Sequence, residues 1–310
     1  MRRVPPHAAF VVSALFHYLG PAFAVLLFAR VDVLGVAWMR IAAAALVFAL
    51  WRRPWRALKH RTVLAWGVVL AVMNCCFYEA IDRLPLATVA AIEFLPVILL
   101  AALGARTRRN FAAIALAVPG VYLLTGVQLQ GEPLGVALAL ANAGLFAAYI
   151  VLAHRVASDP GIEGIDGLGA AMLVALVAVT PLAGWAAAPA LADPVALVAG
   201  AGVGISSSVV PYVADQVAMA RLSRAAYALM VSLLPATATV VGLIVLTQVP
   251  SVTDAGGIAL VIAGVALHRE PPPAAPAAST PRPAARPSPR PRPSPAATPT
   301  RAASGSRGRP

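Results

Sequence analysis

Charge is scarce in this chain. Only 12% of its 310 residues are Asp, Glu, Lys or Arg, about half of what a soluble domain carries, which is too little to coat a soluble surface of this size. Cysteine is nearly absent as well. The two present, Cys75 and Cys76, are neighbours inside an apolar segment, which excludes a disulfide framework and leaves no CxxC or Cys/His metal spacing. No H-E-x-x-H, no facing aspartate pair in a Gly-Asp context and no usable G-x-S-x-G occurs, so a membrane-embedded enzyme is not expected. GAGVG (200–204) is not a phosphate loop, because the Lys-Ser/Thr pair is missing; its small-xxx-small spacing suits close helix contact. What the chain does have is apolar residues, at 60% with a mean hydropathy of +0.81. That composition indicates a membrane protein.

The net charge of +12 is not a nucleic-acid signal. Eight arginines lie after Leu267, in or next to a Pro/Ala/Ser/Arg tail (269–310). The tail has no apolar face and too many prolines for a helix, so it is expected to be disordered with polyproline II character. Most of the other basic residues fill short gaps between apolar runs, where they record membrane orientation.

A helix needs about 20 apolar residues to cross a bilayer. Ten segments come close: 8–29, 33–51, 62–80, 86–104, 111–127, 134–153, 167–188, 195–217, 224–247 and 254–268. The first begins with a basic lead that imitates a signal peptide, but its apolar run is long enough to span. Lys and Arg fall on alternate sides of the ten crossings. One side collects Arg2, Arg3, Arg52, Arg53, Arg56, Lys59, Arg61, Arg106, Arg108, Arg109, Arg155, Arg221, Arg224 and the tail; the other has Arg30 and Arg83. Both termini are therefore expected in the cytoplasm.

Two stretches resemble each other. FYEAIDRLPLATVAAIEFLP (77–96) and PYVADQVAMARLSRAAYALMVSLLP (211–235) each hold a Tyr, an acid, an Arg-Leu turn and a following Pro. They sit five spans apart, an odd number, so the second copy enters the membrane upside down. The expected fold is all-α and integral to the membrane, with ten transmembrane helices arranged as two inverted five-helix repeats (1–127 and 128–268), an architecture common in transporters.

GVAWMR (35–40), MNCCFY (73–78), RLPLA (83–87), AIEF (91–94) with Pro96, ALALANAGLFAAYI (137–150), VPY (210–212) and Arg221-Leu222 together resemble the drug/metabolite transporter superfamily, EamA type, and within it the bacterial threonine/homoserine exporters. The resemblance covers about residues 8–268. It implies a bacterial inner-membrane permease that exports small metabolites, amino acids or related compounds, driven by the proton gradient. The chain departs from the pattern at Leu234-Pro235, where relatives have Glu-Pro, at Gln248, where they have an acid, and at the additional Glu79.

Polar groups inside the membrane are the candidate site. An Arg or Asp at a helix centre costs about 2.5–3.5 kcal/mol on insertion scales, so such residues need partners. Arg40 in the second span and Glu93 in the fourth each lie about seven residues, roughly 10 Å, below the outer end of parallel helices, at a depth where they can meet. Pro96 loosens the helix beside Glu93 and frees a carbonyl near Ile92. A structural ion pair between Arg40 and Glu93 is the competing reading. Asn74, Tyr78, Asn142, Tyr149 and Tyr212 are candidate substrate contacts; Gln216 is a further amide. The same amides serve helix packing, and the tyrosines serve aromatic belts. Trp38, Trp51, Trp55, Trp66 and Trp185 fit belt anchors. His17, which titrates near neutrality, is a candidate proton relay. Glu79 and Asp215 are candidate gates on opposite faces. The expected partners are a small-molecule substrate and the lipid bilayer, with a second copy of the chain as an optional one; no cofactor, metal or nucleic acid is expected. Efflux of cationic or amphipathic drugs is one alternative, and Arg40 weighs against it; a non-transport membrane protein is the other.

The charge bias makes a direct prediction. Green fluorescent protein fused after Leu267 should fluoresce, and alkaline phosphatase at the same point should be inactive. The reverse pattern would overturn the orientation.

Overall fold

Helices begin and end where the sequence supplies caps and prolines. In this computed structural model, which describes residues 6–96, 98–99, 107–128, 132–157, 159–219 and 234–267, the elements are α1 (Pro6–Leu27), α2 (Val33–Arg52), α3 (Arg61–Arg83), α4 (Leu86–Glu93), α5 (Arg108–Gln128), α6 (Pro133–Ala157), α7 (Gly164–Leu191), α8 (Pro194–Gly204), α9 (Val210–Met219), α10 (Leu234–Leu246) and α11 (Val252–Leu267). No strand occurs among the described residues. Asp32 caps α2 through a 3.0 Å bond from the Leu34 N–H, and Arg53 closes it in the left-handed region at φ 50°, where the following Pro54 forbids continuation. Asp193 caps α8 with Pro194 in its first turn. Leu84-Pro85 stops α3 and starts α4.

Six helical stretches among the described residues are long and apolar enough to cross a membrane: 10–27, 33–52, 61–83, 133–157, 164–191 and 194–214. The last runs through α8, a five-residue π-turn (Ile205–Val209) and α9 without a break. The fifth expected span falls on α5, and the tenth on α11. The fourth is not one uniform helix: α4 ends at Glu93, a turn follows at Phe94, and helical backbone resumes at Leu95. Of the ninth, residues 224–233 lie outside the described residues, as does the tail.

Residues 1–271 form one compact unit. Its interior is built from alanine, glycine and branched aliphatics, with Tyr78 and Phe48 the largest fully buried side chains. The helices pack as α2 on α7 and α8, α3 on α6 and α7, α1 on α8, α9 and α10, α4 on α6 and α10, and α5 on α11. These pairings can be recast with α8 and α9 as the eighth span, α10 as the ninth and α11 as the tenth. Exchanging each span with the one five places away converts α3–α6 into α1–α8/α9, α3–α7 into α2–α8, and α4–α6 into α1–α10. It leaves α2–α7, α4–α10 and α5–α11 unchanged. Every one of these contacts is present.

Between helices in lipid, close backbone approach replaces the hydrophobic effect as the adhesive. α5 and α11 meet at two glycines: a Cβ on Gly120 would lie 2.8 Å from the Gly257 carbonyl oxygen, and one on Gly257 2.9 Å from the Gly120 oxygen. Gly257→Leu should therefore cost about 1–3 kcal/mol through overpacking. A thermal-unfolding midpoint in detergent unchanged from the parent would contradict the contact.

Candidate functional site

α2 brings Arg40 against the π-turn of the eighth span. There is no room for a side chain at Gly204, where a Cβ would lie 2.7 Å from the Arg40 carbonyl oxygen. α1 closes the same spot from another side, since a Cβ on Gly20 would stand 2.7 Å from Ser207 Cα. A π-turn carries an extra residue per turn and often marks a functional position. Here Pro211 has no N–H to offer the carbonyl of Ser207 one helical turn earlier. The guanidinium of Arg40 takes that carbonyl instead, donating from Nη2 at 3.3 Å, while its Nε donates to Ser208 Oγ at 3.0 Å. Ser207 Oγ turns away and donates to the Val203 carbonyl at 2.6 Å. On its open face Arg40 lies over the ring of Tyr78, 5.4 Å from the centroid, a cation–π contact in a desolvated setting.

Glu93 closes α4 on the facing side. Asn142 of α6, fully buried, donates from Nδ2 to Glu93 Oε1 at 3.2 Å. Glu93 is half-buried. Arg40 and Tyr18 are both within its electrostatic range. No direct ion pair joins Arg40 to Glu93. Each charge is held by neutral groups: Arg40 by Ser207 and Ser208, Glu93 by Asn142. The expected role of Pro96 takes a specific form: the helix is broken at Phe94, whose N–H bonds back to the Ala91 and Ile92 carbonyls.

The other candidates separate. Tyr78 is fully buried and belongs to the centre, so it is no belt anchor. His17 sits edge-on to Tyr212, with ring centroids 6.1 Å apart, and beside Tyr18 at 6.4 Å, forming a cluster between α1 and α9. Asn74 donates to the Leu70 carbonyl of its own helix at 2.8 Å. Tyr149 stacks on Phe146 and packs against Trp66; Trp66 is buried there instead of anchoring at an interface. Trp38 donates to Thr180 Oγ1 at 2.9 Å, while Trp51, Trp55 and Trp185 are exposed as belts require. Glu79 pairs with Arg83 one turn later, at 2.5 Å. Asp215 lies on α9, and its side chain, like that of Gln216, falls outside what is described. Among the described residues no group of three or more His, Cys, Asp or Glu gathers to hold a metal. Sequence reasoning passed over Ser207 and Ser208, although three consecutive serines at 206–208 in an apolar span, followed by Pro211, are visible as a signal.

Comparison with known proteins adds a second line of argument. A family model described as the EamA-like transporter family matches residues 133–269. The threonine/homoserine exporter RhtA of Escherichia coli strain K12 is 31% identical over 236 residues, spanning 74% of this chain and 79% of that protein. The protein of the same name from Salmonella typhimurium is 30% identical over the same extent. A solved crystal structure superposes with a TM-score of 0.50 at 20% sequence identity, covering 84% of this chain and 96% of its own, so the fold has been seen before.

The two serines beside Arg40 should behave differently. Ser208→Ala removes the acceptor of the Arg40 Nε and should cost about 1.5–3 kcal/mol, as for a hydrogen bond to a charged group. Ser207→Ala keeps the carbonyl that Arg40 uses and should cost less. Equal midpoints for the two variants in a thermal-unfolding series would contradict the assignment.

Proposed function

The chain belongs to the EamA-like transporter family, and from that premise we propose that it exports small amino compounds, threonine-like or homoserine-like, by proton-coupled alternating access. In this reading ten spans form two inverted five-helix halves, 1–127 and 128–268, in a bacterial inner membrane with both termini cytoplasmic. The exchange symmetry of the helix contacts supports the inverted halves.

One observation carries the substrate reading: Arg40 and Glu93 are each anchored by neutral partners, and neither is used up by the other. An amino acid carries a carboxylate and an ammonium on one carbon. Arg40 keeps guanidinium N–H groups beyond the two it gives to Ser207 and Ser208, and its planar fork suits a carboxylate. Glu93 keeps an oxygen beyond the one Asn142 uses and suits an ammonium. Tyr78 and Asn142 frame the pair. The His17–Tyr18–Tyr212 cluster adjoins Glu93 through Tyr18 and would serve as its proton route. Glu79 and Asp215 are the proposed outer and inner gates; Asn74 and Tyr149 then support α3 and α6. Arg40 disfavours the alternative of cationic drugs, because it places a positive charge in the cavity such a drug would enter.

Proteoliposomes loaded with labelled threonine or homoserine, with an imposed pH gradient, test the proposal. The parent should move substrate with the gradient. Glu93→Gln should lose at least about tenfold in rate, corresponding to the loss of a charge-assisted bond, while remaining inserted and thermally stable. Undiminished transport by Glu93→Gln would remove that residue from the site.

A further inference from the structure

A cavity that neither Arg40 nor Glu93 lines sits where α4 begins. It has a volume of about 150 Å³ and is lined by the start of α4 (Pro85, Thr88), the α10–α11 connection (Gln248) and the first turns of α11 (Asp254, Ile258). Asp254 forms a capping box with Ser251: its Oδ2 accepts from the Ser251 N–H at 3.1 Å and the Ser251 hydroxyl at 2.7 Å, and its own N–H returns to Ser251 Oγ. That accounts for one carboxylate oxygen. Oδ1 is buried and has no hydrogen-bond partner among the described residues, in a side chain only 8% exposed. A buried acceptor left unmade is costly, and more so on a charged group. Gln248 is also committed on one side, its Oε1 accepting from the Leu86 N–H at 3.0 Å, which ties α10 to the first residue of α4.

The cavity is lined by Asp254, whose second carboxylate oxygen makes no hydrogen bond among the described residues, together with amide and hydroxyl groups and an apolar wall, with no basic residue in its lining. A carboxylate ligand would be repelled by Asp254. A primary ammonium on a short aliphatic stem fits both the charge and the volume, since about 150 Å³ is room enough for a benzene-sized molecule. We propose that this cavity is an exit subsite, on the outer face in the proposed orientation, that takes the ammonium end of the substrate through Asp254 as it leaves the central site. This rests on the export reading above. At the same time the Gln248–Leu86 contact holds α4, and with it Glu93, in place, so occupancy at the exit and the position of Glu93 share one helix.

The test uses the full-length protein in membrane vesicles of both orientations, with Cys75 and Cys76 replaced by Ala and Val249→Cys added. Val249 lines the cavity and is 79% exposed. Labelling by an impermeant thiol reagent should occur from the outer face. n-Propylammonium should slow it about threefold or more, a free-energy change well within one charged contact, and n-propanol should not. Asp254→Asn, which keeps an acceptor for the Ser251 cap, should abolish the protection. Labelling only from the inner face overturns the placement. No protection, equal protection by propanol, or protection surviving in Asp254→Asn overturns the ammonium site. Protection in a protein that moves no amino acid leaves the subsite standing and removes the export reading; transport without protection does the reverse.

Discussion

Hydrocarbon supplies no hydrogen bonds, so every polar group carried into it must find its partners within the protein. Among the described residues Arg40 is a demanding case, and the architecture around it follows from satisfying it. Pro211 leaves the Ser207 carbonyl without its usual helical donor, the π-turn presents that carbonyl and the Ser208 hydroxyl on one side, and the guanidinium binds both. This requires α2 to approach the eighth span to within backbone contact, which Gly204 permits, and α1 to lie against the turn, which Gly20 permits. A larger side chain at Gly204 would push on Ala43 and on the Arg40 backbone, and one at Gly20 on Ser207, so both positions bear on the arginine and its acceptors.

Both polar anchors cross between the two halves of the chain. Arg40 comes from the first half and its acceptors from the second; Glu93 comes from the first half and Asn142 from the second. The helix pairings that carry them, α2 with α8 and α4 with α6, are among those that the five-span exchange relates to other observed pairings. Under the proposed cycle, motion of one half against the other would strain both anchors together. The dry contacts between halves, such as Gly120 against Gly257, involve no polar group and offer no comparable coupling to a ligand.

Much of the scaffold was legible from the residues alone. Hydropathy located most of the helices, and the cost of charge in an apolar span singled out Arg40 and Glu93 as groups that need partners. Their partners were not legible, for a physical reason. Hydropathy reports how apolar a stretch is and not its helical register, and a π-turn shifts the register by one residue at a point that averages cannot locate. Ser206, Ser207 and Ser208 carry no charge to draw attention in an apolar span, and gain meaning only when Pro211 is considered with them. Asn142 read as one amide among several, because the sequence gives no lateral distance between α4 and α6. Trp66 was read as an anchor from its position near a helix end, but the side chain faces inward against Tyr149. For Glu79, nearness to an aqueous face was legible, while its pairing with Arg83 follows from i, i+4 spacing that the sequence also displayed.

The separation of Arg40 from Glu93 bears on the choice between a structural lock and a binding centre. Two opposite charges buried in contact largely satisfy each other, and a ligand would have to break the pair and bear its desolvation before gaining anything. Two charges each steadied by neutral groups, with one side of each still uncommitted, face the opposite balance: they remain costly while empty, and a zwitterion of matching span lowers that cost by bridging them. Water can lower it as well, since Glu93 is only half-buried. Under the proposed function a substrate would compete there with water and not with an internal ion pair, and would bind with modest affinity. An exporter needs that balance, since a site that holds its cargo too tightly cannot release it on the far side.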